Sequence, residues 1–92
     1  MTGVCAFNDE TAIAVLARLR ERGLTAPHDL AVIGVDDIPT ARLTAPPLTT
    51  VSFDLRQAGH GRAELIMASL AGREPHPVVA QEDWKVIQRS SA

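Results

Sequence analysis

Two adjacent carboxylates, Asp36 and Asp37, follow the apolar run AVIGV at residues 31–35. Acids that close a buried strand can hold a metal, perform acid–base chemistry, grip a neutral ligand or cap the next turn. Each use needs different neighbours. A Mg²⁺ site for phosphoryl transfer requires a third acid and usually a nearby Lys or Thr. The sole Lys is Lys85, near the end of the chain, so a metal-dependent enzyme on Asp36 and Asp37 is the weakest of these uses. His28, His60 and His76 lie far apart, with no ligand spacing on one element, which argues against zinc. Ser52 has no obvious His and Asp partners for nucleophilic hydrolysis, and no Gly-rich phosphate loop occurs. The residues therefore predict no catalytic group, no metal and no cofactor. A carboxylate accepts from two vicinal hydroxyls at once, which suits a polyol. A second polar pair, Asn8 and Asp9, closes the short run GVCAF at residues 3–7.

The elements that must position these pairs can be read from local signals. Asn8 and Asp9 are good N-cap residues for a helix that begins at Glu10 and stops at Gly23, with Arg18, Arg20 and Arg22 in its last turns. Ala12, Val15, Leu16 and Leu19 share one face of that helix, and Ile13 falls off the stripe beside Arg20. Leu30 to Val35 reads as a second strand, so the first half predicts a βαβ unit. Both strands are continuously apolar, as in a parallel sheet covered on both faces. Ligands of such sheets bind outside the carboxyl ends of the strands, which favours Asp36 as a ligand contact and leaves Asp37 to cap a short turn from Ile38. Pro46-Pro47 ends that turn. Leu48 to Phe53 predicts a third strand. Asp54 then caps a helix over Leu55 to Ala71, closed by Gly72, whose apolar set Leu55, Ala58, Gly59, Ala63, Ile66 and Leu70 is interrupted by Arg62. Val78 to Ala80 and Trp84 to Ile87 predict two short strands, and the tail QRSSA reads as frayed.

Composition bounds the function classes. The 92 residues are 46% hydrophobic but only 3% aromatic, so the core must be aliphatic. A net charge of −2 with scattered Lys and Arg does not suit direct nucleic-acid binding. The single Cys5 excludes an intrachain disulfide and fits a reducing compartment; its apolar strand reads as inert core. No apolar run is long enough for a transmembrane helix, and MTGVCAFND lacks the pattern of a signal peptide, so the chain reads as cytoplasmic. Two long helices are few for a doubly wound sheet, and the first strand begins almost at residue 1 with nothing before it to pair against. The sequence thus looks like the C-terminal piece of a larger α/β protein, unless copies of the chain bury the same surface between them.

The stretch AFNDETAIAVLARLRERGLTAPHDLAVIGVDDIPTARLTAPPLTTV resembles the effector-binding domain of LacI/GalR-family transcription regulators. The family pattern is a strand ending in N-D, a helix, G-L-x-x-P-x-D, a strand ending in D-D, then P-x-L-T-T. AGHGRAELIMASLAG at residues 58–72 is similar to the family's next helix. The ordered set covers nearly the whole chain, Cys5 to Arg89. Secreted sugar-binding proteins of transporters share the fold, but they carry a signal peptide and usually lack P-P-L-T-T.

The resemblance implies a partial periplasmic-binding-protein-like three-layer α/β fold. Its parallel sheet has a βαβ unit, then a crossover strand, a helix and two short C-terminal strands. Residues 1–50 would belong to the C-terminal subdomain, 51–76 to a crossover and an N-terminal-subdomain helix, and 77–92 to returning strands. The ligand would be a small sugar-like effector in the cleft between subdomains, with DNA bound only through a head domain that lies outside this sequence. Asn8 and Asp36 would be polar effector contacts. Phe53 stands where the family usually has Gln, and offers either a stacking face to the effector or core packing at the hinge. Val35, in place of Phe or Tyr, and Arg62, in place of a small apolar residue, also depart from the pattern. Together the three departures make simple hexose recognition a less obvious expectation. Ile13, Thr44 and Ala45 map onto the family's dimer interface, which implies a two-fold homodimer.

Overall fold

The structure is a computed structural model that describes residues 2–74 and 84–92. Strand β1 spans Gly3–Cys5, α1 Asp9–Glu21 and β2 Ala31–Val35; a 3₁₀ turn follows at Pro39–Leu43, then β3 Thr49–Phe53, α2 Leu55–Leu70 and β4 Trp84–Ile87. The strands form one sheet in the order β1-β2-β3-β4. The first two pairings are parallel: Val4 lies opposite Val32, and Val35 opposite Val51. The expected βαβ unit, third strand and second helix are all present. The expected strand at Val78 to Ala80 lies outside the described residues. The chain forms two compact units, residues 1–52 with 85–92, and residues 53–84.

Local chemistry explains α1. Asn8 is its N-cap in extended conformation, and the side-chain Oδ1 accepts the Thr11 N–H at 2.9 Å. Gly23 ends it at φ 71°, a conformation that costs glycine little. Its N–H reaches Arg20 O at 3.0 Å, and Leu24 N–H reaches Leu19 O at 2.9 Å, the paired bonds of a Schellman motif. Helix α2 ends the same way at Gly72, with Arg73 N–H on Ala68 O at 2.9 Å.

The core of the first unit lies between α1 and one sheet face. Ala12, Leu16, Val32, Ala41 and Leu48 are buried there, with Ala6 at the margin. Burying Leu16, Val32 and Leu48 contributes roughly 1.5–3 kcal/mol each. The predicted stripe Ala12, Val15, Leu16 and Leu19 does face this core, and Ile13 packs against it as well.

The opposite sheet face corrects one expectation. The burial of β2 alternates, with Val32 and Gly34 buried and Ala31, Ile33 and Val35 only half-buried. Helix α1 packs on one of the two faces of this strand. Cys5, in register with Ile33, is accordingly an exposed free thiol rather than core. The tail is not frayed either. Ser91 is fully buried. Its Oγ donates to Val32 O at 2.6 Å and accepts Thr49 N–H at 2.8 Å, and its carbonyl accepts Val32 N–H at 2.8 Å. These bonds stitch the C-terminus to β2 and β3.

In the second unit, α2 is capped by Asp54, whose carboxylate accepts Gln57 N–H at 3.0 Å. No residue of the helix is buried. Its expected apolar set is therefore not core, and Leu55, Ile66 and Leu70 are all exposed.

Candidate functional site

The polar pairs meet the sheet at one edge. Asn8 lies three residues beyond Cys5, and Asp36 three residues beyond Ile33, the register partner of Cys5. Both therefore stand at the carboxyl ends of neighbouring parallel strands, where open α/β sheets bind ligands. The Asp36 carboxylate is exposed and makes no hydrogen bond among the described residues, and its N–H donates to Val51 O at 2.8 Å. Asn8 is half-buried with its Oδ1 engaged in the cap. Its amide nitrogen makes no hydrogen bond among the described residues.

The two aspartates of each pair part company. Asp9 is fully buried, and its carboxylate accepts the Thr50 hydroxyl at 2.5 Å and the Ile38 N–H at 2.8 Å. It thus orients the turn after β2. Asp37 does not cap that turn: the 3₁₀ turn has Ile38 at its N-cap position and no side-chain cap. The Asp37 carboxylate instead pairs with Arg89 Nη2 at 2.9 Å, while Arg89 Nη1 donates to Leu48 O at 2.9 Å. Burial of Asp9 depends on Gly34, since a Cβ there would overlap Asp9 Oδ1 and press on Leu48.

Asp36 and Asp37 both adopt positive φ, 111° and 55°. A non-glycine residue held this way costs about 1–3 kcal/mol.

The remaining expected residues scatter. Phe53 closes β3 in the second unit and is 45% exposed. Ile13 is half-buried against the core. The Thr44 hydroxyl lies 2.7 Å from Pro46 O and 3.1 Å from Ala41 O. Ala45 is exposed, and its carbonyl accepts Arg20 Nη2 at 3.2 Å, so the end of α1 and the loop before Pro46 form one surface. Leu43, 76% exposed, belongs to the same loop. Sequence pattern did not flag Phe7. Phe7 is 88% exposed beside Asn8. Thr50 and Arg89 also escaped notice, although a Thr-Thr pair opening a buried strand is a usable signal for a buried polar partner.

Among the described residues no group of three His, Cys, Asp or Glu side chains could hold a metal. No helix among them is long and apolar enough to cross a membrane.

Strands β1 and β2 are parallel neighbours with unengaged polar groups at their carboxyl ends, the end at which open α/β sheets bind ligands. The comparisons agree. The family described as periplasmic binding protein-like domain matches residues 1–92, and the chain belongs to that family, in the form carried by LacI-family transcriptional regulators. The HTH-type transcriptional repressor PurR of Vibrio atlanticus (strain LGP32) is 33% identical over 90 residues, 98% of this chain and 27% of that protein. The chain therefore spans about a quarter of the length of the curated relatives it matches. The transcriptional regulator CelR, solved with cellobiose, superposes with a TM-score of 0.86 at 30% identity, over 100% of this chain and 28% of that one. A LacI family regulator from Arthrobacter sp. FB24, solved with lactose, gives 0.76 at 36% identity, over 100% and 36%. These relatives are regulators, not enzymes.

Proposed function

We propose that this chain supplies the C-terminal portion of the effector-binding and dimerisation region of a cytoplasmic transcription regulator, and that its effector is a sugar or related polyol. In this reading residues 1–50 belong to one subdomain, 51–76 to a crossover and the opposing subdomain's helix, and 77–92 to returning strands. DNA binding resides in a head domain outside this sequence, and effector binding shifts a two-state equilibrium that the head senses. The observation that carries the reading is the unengaged Asp36 carboxylate, held at positive φ at the same carboxyl edge of the sheet as Asn8. The relatives solved with cellobiose and lactose support the ligand class.

Asp36 accepts from ligand hydroxyls and the Asn8 amide donates. Charge-assisted hydrogen bonds contribute roughly 1.5–3 kcal/mol each, and about 1.4 kcal/mol is tenfold in affinity. Asp36→Asn in the full-length regulator is therefore expected to weaken cellobiose or lactose binding at least tenfold by titration calorimetry. A loss within about threefold removes Asp36 from the site.

The homodimer uses the surface of Ile13, Thr44 and Ala45, with Leu43 as its exposed apolar centre. A guanidinium placed at a two-fold axis faces its own copy and repels it. Leu43→Arg is expected to convert the regulator to monomers in sedimentation analysis at micromolar concentration. An unchanged dimer would show that another surface makes the contact.

A further inference from the structure

Three consecutive amides of the turn after β2 are held by named partners: Asp36 N–H by Val51 O at 2.8 Å, Asp37 N–H by Thr50 Oγ1 at 3.4 Å, and Ile38 N–H by Asp9 Oδ2 at 2.8 Å. Thr50 donates its hydroxyl to Asp9 at 2.5 Å. The Asp9–Thr50 pair, both members fully buried, is thus a rigid post beneath the turn. Above it, two successive non-glycine residues stand at φ 111° and 55°. Backbone persists in such conformations only where its surroundings over-determine them. Asp37 is further tied to Arg89, while the Asp36 side chain is left exposed and unengaged.

We propose that Asp9 and Thr50 are positioning residues of the effector site: as a buried pair they hold the turn after β2 with Asp36 and Asp37 at positive φ and fix the direction of the Asp36 carboxylate before a ligand arrives. The proposal rests on the reading of Asp36 as an effector contact. Asp9 also follows Asn8 directly, so one buried carboxylate sets the placement of both polar contacts. A site built this way loses little ordering entropy on binding. Neither residue touches the ligand in this arrangement; both act through the backbone of the turn.

The test uses the full-length regulator with Thr50→Val, Thr50→Ser and Asp36→Gly. Thr50→Val keeps the shape but removes the hydroxyl that bridges Asp9 and the Asp37 amide. In its crystal structure Asp36 and Asp37 are expected to return to negative φ, and the Ile38 amide to exchange at least tenfold faster. Thr50→Ser retains the hydroxyl and is expected to match the parent in both respects. Titration with cellobiose and lactose is expected to show a tenfold loss in Thr50→Val, to which Asp36→Asn adds no more than twofold. A folded Thr50→Val protein that keeps both positive φ values overturns the proposal, as do additive losses. Asp36→Gly folds independently of the lock and is expected to raise the unfolding midpoint, because glycine takes this φ without penalty. A lowered midpoint overturns the strained turn and the proposal with it. If neither sugar binds the parent protein but the turn relaxes as expected, the lock stands and the sugar reading of Asp36 falls.

Discussion

Replacing Gly34 with alanine is expected to destabilise the protein by about 2–4 kcal/mol. A strand glycine normally weakens a sheet, and alanine there would gain roughly 0.5–1 kcal/mol. Here the sign reverses. The added methyl would overlap Asp9 Oδ1 and crowd Leu48 and the Asp9 backbone. Overpacking of a tight core costs about 1–3 kcal/mol. Displacing the Asp9 carboxylate also breaks its bonds to Thr50 and Ile38, and hydrogen bonds to charged groups contribute roughly 1.5–3 kcal/mol each. Urea unfolding should show a lower midpoint with an unchanged slope. Gly3→Ala is the control, because a methyl there makes only ordinary contact with Ala31 at 3.5 Å. Equal effects at the two glycines would mean that β2 and α1 do not approach as closely as the structure has them.

The second large effect is expected from Asp9→Ala, at about 3 kcal/mol. Asp9 is fully buried, so removing the carboxylate relieves a desolvation cost. That relief is outweighed, because the Thr50 hydroxyl and the Ile38 amide lose their acceptor inside the protein. A buried donor left unsatisfied costs about 1–3 kcal/mol. Asp9→Asn keeps one oxygen acceptor and one of the two bonds, and is expected to lose about half as much. Thermal unfolding of the three proteins under identical buffer separates these outcomes. A neutral Asp9→Ala would make Asp9 an N-terminal helix residue and nothing more.

These two effects also mark where the sequence stops being informative. Asn8, Gly23, Asp54 and Gly72 announce the ends of both helices because capping depends on residues within one turn. The apolar stripe of α1 is legible for the same reason. Paired acids after a strand were legible as groups at the carboxyl edge of a parallel sheet, the edge such sheets present to ligands. Which acid does what was not legible. Asp37 and Arg89 are 52 residues apart, and no local pattern could pair them. Ser91 looked like a solvated tail because serine is polar and terminal, yet its bond to Val32 spans 59 residues. The exposure of Cys5 likewise depends on the sheet face that α1 leaves uncovered, which apolar composition cannot report.

By itself the sequence determined the order of the described elements, the helix boundaries, the aliphatic core and the family to which the chain belongs. All of these follow from short-range periodicity, turn chemistry and motif spacing. Only the tertiary structure decided that Asp9 is buried while Asp36 stands free. That division depends on Thr50 arriving from β3, 41 residues away, to meet Asp9 across Gly34. A carboxylate goes into the interior when donors converge on it from distant strands, and the one beyond their reach is left at the edge, unengaged.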